Sequence, residues 1–270
     1  MITHVLTTRF NVRFAHSPSS SAHALSLPWL AERVALFEKY CLPSVLYQTL
    51  KPDVWLIWLD RDSPPQLREW ARQWQAKCDF IRPVYVGAFD VPVAVESVRE
   101  YADLSAGWLL TSRLDNDDAI HPRFFEVLRR NAVEGQREFL NVPRGLIVAG
   151  GKCYRKSIAA GPFISFSEPS SDPTTVWAEQ HGLLGSVAPV RQVALRDGWI
   201  QIVHGGNLSN TVRGVRVPAS WLDRGCMPAA LAEELAVGGF LEFCKDNTVG
   251  LWRRCLPSVM NLVRLGAHRG

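Results

Sequence analysis

Trp108-Leu109-Leu110-Thr111-Ser112-Arg113-Leu114-Asp115-Asn116-Asp117-Asp118 is the stretch on which the reading of this chain turns. Its first half is apolar and rich in strand formers, and its second half puts three carboxylates within four residues. A buried strand that runs straight into acidic residues, followed by a loop and a helix, is a common layout of ligand sites in open α/β sheets. Ligands there sit beyond the carboxyl ends of the strands. Three carboxylates packed together repel one another at neutral pH. A divalent cation such as Mg²⁺ or Mn²⁺ relieves that repulsion, and oxygen ligands suit both ions. The plain alternative is a solvated acidic turn that caps the following helix.

The residues before the cluster alternate between strand and helix. Residues 3–8 read as a strand that ends at Arg9-Phe10-Asn11-Val12-Arg13. Leu30, Val34, Phe37 and Cys41 recur at helical spacing, with Glu32, Arg33, Glu38 and Lys39 between them. Val54-Trp55-Leu56-Ile57-Trp58-Leu59 is a continuous apolar run ending in Asp60-Arg61-Asp62, as expected of a strand covered on both faces. Residues 64–77 and 93–104 read as helices, and residues 80–86 as a strand. That order predicts an α/β fold with a largely parallel sheet. From residue 139 the pattern becomes mixed and more irregular. Residues 139–142 and 146–154 read as a hairpin around Pro143-Arg144-Gly145, and residues 189–195 and 199–203 as another. Residues 228–244 suggest a helix.

Composition narrows the classes further. The chain has 270 residues, a formal net charge of +4, 47% hydrophobic and 21% charged residues. Such values argue against a disordered chain or a coiled coil. No dense Lys/Arg stripe is present, so nucleic acid is not an expected partner. The six cysteines are irregularly spaced without C-x-x-C, which argues against a zinc ribbon. The first residues lack a basic stretch followed by an apolar one, and no apolar run approaches a membrane span. A cytoplasmic location is the expectation. Ten tryptophans are the one compositional oddity.

Rival readings of the acidic cluster can be tested on the residues. An EF-hand loop starting at Asp115 needs an oxygen ligand fifth and glycine sixth. Ala119 and Ile120 stand there instead. A phosphohydrolase with Asp115 as nucleophile expects Thr or Val where Ala119 stands, and remains an alternative function. A non-catalytic carbohydrate-binding protein is the other.

Several separated blocks carry a family resemblance: Thr8-Arg9-Phe10-Asn11, Phe37 to Val45, Gln48-Thr49, Trp55-Leu56-Ile57 with Asp60-Arg61-Asp62, and Ser112 to Ala119. Over roughly residues 3–210 the chain resembles the rhamnosyltransferase family and is similar to the wider group of GT-A-fold glycosyltransferases. The resemblance implies one glycosyltransferase-like domain over residues 1–215. Residues 1–138 would form a Rossmann-type nucleotide-sugar half with a mixed sheet and 139–215 a more irregular acceptor half, while residues 216–270, beyond the resemblance, are expected as a helical extension. It implies a nucleoside-diphosphate sugar donor, a hydroxyl of a glycan or glycolipid as acceptor, and transfer of a sugar such as rhamnose.

Site residues follow from the resemblance in the same way. Arg9, Asn11, Arg13, Asp60, Asp62, Arg113 and Asp115 are expected around the nucleotide-sugar. Asp117, Asp118 and His204 are expected on a divalent metal, Mn²⁺ or Mg²⁺, which offsets charge on the departing diphosphate. Glu168, Asp172 and Glu179 are the candidates for the carboxylate that takes the acceptor's proton. Trp177 and His181 are expected to line the acceptor pocket. The tail over residues 251–265, mixing aromatics, aliphatics and arginines, is a candidate for peripheral membrane contact.

Overall fold

The strand Ile2–Arg9 (β1) forms the middle of the molecule, and Thr3 to Thr8 are buried along it. A computed structural model describes residues 1–14, 23–179, 183–205 and 212–235. After β1 come a helix, Leu27–Leu36 (α1), one wide turn, Phe37–Cys41, and a short helix, Leu42–Leu46 (α2). Then follow Val54–Asp60 (β2), Pro65–Lys77 (α3), Ile81–Val86 (β3), Val91–Tyr101 (α4) and Trp108–Arg113 (β4). Proline stands in the first turn of each of these helices, where its missing N–H costs nothing. Asp90 caps α4 by accepting from the Val93 N–H at 2.9 Å.

β2 shows why a run without polar alternation becomes a central strand. Trp55, Ile57 and Leu59 join one apolar cluster with Phe37, Phe125 and Trp199. Leu56 and Trp58 join a second cluster on the other face, with Phe89, Phe166 and Trp177. The tryptophan excess is mostly a core feature. Trp55, Trp58, Trp108 and Trp199 are buried, and each indole N–H has a partner: Thr8 Oγ1, Ser97 Oγ, Ser167 Oγ and the Val142 carbonyl.

The chain then continues as Ala119–Ile120 (β5), Phe124–Asn131 (α5), Glu138–Asn141 (β6), Arg144–Ala149 (β7), Lys152–Ser157 (β8) and Ile164–Pro169 (β9). Val190–Gln192 (β10), Trp199–Val203 (β11), Val215–Val217 (β12) and the short helix Ala229–Glu234 (α6) complete it. The first sheet has the order β10-β6-β9-β4-β1-β2-β3 and the second β12-β8-β7-β11-β5. β1 pairs in parallel with β2 on one side and β4 on the other, and β2 with β3. β9 lies antiparallel to both β4 and β6, so the sheet is mixed. The fold is α/β, as the alternation predicts.

The later chain is interleaved more than its pattern suggests. Residue 139 does not divide the sheets, because β6, β9 and β10 all extend the first sheet while β5 already opens the second. Neither expected hairpin forms. β6 and β7 lie in different sheets, as do β10 and β11. The hairpin is instead β7–β8, turned by Gly150 and Gly151, both at positive φ. Gly145 has a different reason to be glycine: a Cβ there would stand 2.0 Å from the Trp199 ring. Residues 216 and 217 belong to β12 rather than to a helical extension. The predicted helix over 228–244 is seen as α6, and its remainder lies outside the described residues, as does the tail over 251–265. Among the described residues, no helix is long and apolar enough to cross a membrane.

Candidate functional site

The strand order reverses between β1 and β4, whose carboxyl ends lie side by side with Thr7 opposite Arg113. Such a reversal opens a crevice at the strand ends, where ligands bind in open α/β sheets. Arg9 ends β1 and the acidic run follows β4, so both border this crevice. The acidic run is also where the chain leaves the first sheet for the second. It is pinned on both sides: Asn116 Nδ2 donates to the Phe10 carbonyl at 2.8 Å, and the Ile202 N–H of β11 donates to Asp118 Oδ1 at 2.9 Å.

The three carboxylates have three different surroundings. Asp115 is half-buried, and Arg9, Arg113 and Arg33 are near enough to act on its charge. Burial pushes its carboxyl up and Asp117 pushes it further, while the three guanidinium groups pull it back. Asp117 Oδ2 accepts from Arg33 Nη1 at 2.8 Å and lies 3.0 Å from His204 Nε2. Burial would raise this carboxyl, but His204 and Arg33 outweigh it and hold Asp117 below the usual range. Asp118 is fully buried. Burial first, then Asp117 and Asp115, raise it well above the usual range, and its Oδ2 has no hydrogen-bond partner among the described residues.

Two arginines flank the ring of Trp177. The guanidinium carbon of Arg9 lies 4.4 Å from its centroid and that of Arg113 lies 5.3 Å away. Arg9 also rests on Phe14 and Phe89, at 4.8 and 5.6 Å. Trp177 is held from beneath, its Nε1 donating to Thr7 Oγ1 at 3.0 Å. Arg113 Nε donates to the Pro162 carbonyl at 3.0 Å. Burial lowers the Arg113 guanidinium to about 9, with Asp115 opposing and Arg9 adding to the drop. Burial lowers Arg9 as well, against the pull of Asp115. A guanidinium that burial makes costly gains most when an anion arrives.

The other expected nucleotide-side residues are engaged with one another. Arg13 forks onto Asp60, Nε to Oδ2 at 2.6 Å and Nη2 to Oδ1 at 2.9 Å, and reaches Asp62 Oδ2 at 2.5 Å. Asn11 Oδ1 accepts from the Asp60 N–H at 3.0 Å, and its Nδ2 donates to Ser63 Oγ at 3.1 Å. These four residues form a strut between the segments after β1 and β2. The pairing with Asp60 and Asp62 raises Arg13 further.

The three candidate bases separate clearly. Glu168 lies in β9, fully buried, and its carboxylate accepts from the Thr174 N–H, Thr174 Oγ1 at 2.8 Å and the Thr175 N–H at 2.7 Å. From that buried position it anchors the loop at Thr174 and Thr175, which takes up both of its oxygens. Asp172 is exposed and pairs with Arg99 at 3.0 Å on the surface. Glu179 is half-buried and follows Trp177 by two residues. Trp177 is buried against Phe89 and Trp58, so it acts as a wall behind the arginines more than as an open platform for an acceptor. His181 lies outside the described residues.

Arg33 is the site residue that sequence reasoning passed over as a polar residue between apolar ones. Its spacing carried a signal. It falls three residues after Leu30 and four before Phe37, on the buried face of α1, and it is 7% exposed. An arginine on an apolar stripe needs a buried anion, and Asp117 provides it. Among the described residues, no group of three or more His, Cys, Asp or Glu is arranged to hold a metal ion. Two donors do converge, Asp117 Oδ2 and His204 Nε2, and a cationic nitrogen of Arg33 already stands against that oxygen. Glu32 Oε1 lies 3.8 Å from Nδ1, the other ring nitrogen of His204. Asp117 and His204 are the residues that would hold a divalent cation here, the carboxylate oxygen being the one that suits Mn²⁺ or Mg²⁺.

Residues 5–216 match the family described as "Putative rhamnosyl transferase". The chain belongs to that family. No curated protein matches its sequence. Among solved structures it is similar to S. aureus TarS 1-349 in complex with UDP-GlcNAc, at 10% identity and a TM-score of 0.47, covering 77% of this chain and 60% of that one. The inositol-1-phosphate CTP transferase from T. maritima is similar at 11% identity and a TM-score of 0.37, with 77% and 91% covered. Mouse xyloside xylosyltransferase 1 follows at 13% and 0.28, with 53% of each chain covered. This family member thus spans about 60% of the length of the TarS chain.

Proposed function

We propose that the chain is a glycosyltransferase that takes a sugar from a nucleoside diphosphate and passes it to a hydroxyl of a glycan or glycolipid. One observation carries the reading: Arg9 and Arg113 bracket Trp177 at the carboxyl ends of β1 and β4, beside Asp115 and Asp117. Membership of the rhamnosyltransferase family supports it, and rhamnose is the sugar we propose.

In this reading Arg9 and Arg113 bind the diphosphate oxygens, and their burial excludes water that would screen the contact. Asp115 faces the ribose or sugar, where its half-buried carboxylate accepts hydroxyl hydrogen bonds. Asp117 and His204 are the residues that would hold a divalent cation, which when bound would supply Lewis-acid neutralisation of the leaving diphosphate. Asp118 fixes the acidic run to β11 through the Ile202 N–H. The strut of Arg13, Asp60, Asp62 and Asn11 keeps the base side of the crevice open. Glu179 is the carboxylate we assign to the acceptor's proton, on its half-buried position two residues after Trp177.

The test is a calorimetric panel of UDP, GDP and dTDP and their sugars, each with Mn²⁺ and with a chelator. Binding of one nucleoside diphosphate is expected, weaker in chelator. Absence of binding by every diphosphate under both conditions overturns the proposal.

A further inference from the structure

The geometry points to Arg33 as a tethered cation that occupies the metal position on Asp117 until donor and metal arrive together. The inference rests on the glycosyltransferase reading, and it concerns how that site is kept before it is filled.

Asp117 is buried, with its side chain 9% exposed, and an ionised carboxylate so placed requires a cation. Arg33 meets that need at 2.8 Å with a side chain itself 8% exposed. His204 Nε2 stands 3.0 Å from the same oxygen, and its side chain is 15% exposed. The oxygen that a divalent cation would use is therefore already shared between a guanidinium and an imidazole.

Two cations in contact with one carboxylate oxygen repel strongly in a poorly solvated site. A divalent ion and the Arg33 guanidinium are thus alternatives at Asp117 Oδ2. Arg33 reaches the position on a long stem from α1, with its guanidinium carbon 5.1 Å from the Trp29 ring centroid. The free protein therefore gains little from metal alone, because a metal ion must displace the Arg33 guanidinium from Asp117. A metal ion arriving with a nucleoside diphosphate changes this. The diphosphate brings negative charge, and the displaced guanidinium can pair with a phosphate oxygen. Metal and donor then bind with positive coupling, and Arg33 is the residue that sets its size. Glu32, beside Arg33 on α1, lies 3.8 Å from Nδ1 of His204.

The experiment titrates the full chain with Mn²⁺ alone, following free Mn²⁺ by electron paramagnetic resonance. Arg33→Met keeps an apolar stem and removes the charge, and it is expected to bind Mn²⁺ about tenfold more tightly than the parent. Arg33→Lys keeps a cation and is expected to stay within about threefold of the parent, and Asp117→Ala to abolish the gain. If circular dichroism shows Arg33→Met unfolded, Arg33→Gln carries the same expectation. The inference is overturned if the uncharged variant binds Mn²⁺ no more tightly than the parent. A parallel titration with UDP, GDP and dTDP separates the two readings. Nucleoside-diphosphate binding in the parent with no gain for the uncharged variant removes only the role of Arg33. No nucleoside-diphosphate binding in any protein removes the functional reading.

Discussion

Replacing Glu168 with glutamine separates an anchoring role from a catalytic one. The carboxylate is fully buried and takes hydrogen bonds from the Thr174 N–H, the Thr174 hydroxyl and the Thr175 N–H. Glutamine has the same shape but a single acceptor oxygen. Whichever way its amide turns, an NH₂ faces one of these donors. The loss is at least one charge-assisted hydrogen bond, about 1.5–3 kcal/mol, plus about 1–3 kcal/mol for a buried N–H left unpaired. Burial already raises this carboxyl, so removing its charge recovers part of the cost. A net loss of about 2–4 kcal/mol follows. Thr175 adds to it, because this residue sits at a φ of 67°, a region costly to a branched side chain, and the Glu168 carboxylate holds it there. Urea unfolding followed by tryptophan fluorescence reads the loss directly. A catalytic base would behave oppositely, with unchanged stability and turnover down about 10²–10⁴-fold. An unfolding free energy within about 0.5 kcal/mol of the parent would refute the anchoring argument.

Two further outcomes follow from the core. His4 is fully buried, its Nε2 lies 2.8 Å from Ser112 Oγ, and burial with some help from Arg129 lowers it to about 3. Between pH 6.5 and about 3 the unfolded chain binds a proton that the folded one does not, so stability falls as pH drops through that window. The slope reaches about 1.4 kcal/mol per pH unit, and urea midpoints measured across the window should flatten in His4→Asn. Gly145→Ala would put a methyl group 2.0 Å from the buried Trp199 ring, and a melting curve should show a loss of about 1–3 kcal/mol or more.

Much of this architecture was legible in the residues. The run from Val54 to Leu59 has no alternation because both of its faces meet a core cluster, and a continuous apolar run means that wherever it occurs. The acidic run after β4 was readable as a strand-end site because its apolar approach and polar arrival are local facts. The second sheet was not. β6 and β7 are separated by two residues yet pair in different sheets, and the choice between sheets depends on partners far along the chain. Glu168 is ambiguous for the same reason: a carboxylate near a loop reads as a base until its three donors are seen. Arg33 was within reach, since only a buried anion explains an arginine on the inner stripe of a helix, but nothing local names Asp117 as that anion, 84 residues away.

We propose that the crevice at the ends of β1 and β4 receives a nucleoside diphosphate. The most direct measurement is calorimetric titration of the nucleoside diphosphate that binds the parent chain into Arg9→Ala, whose guanidinium lies 4.4 Å from the Trp177 ring centroid. Loss of a charge-assisted contact of about 1.5–3 kcal/mol corresponds to binding about 10- to 150-fold weaker. That weakening is the expected result, and an affinity equal to the parent's would show that the diphosphate binds elsewhere.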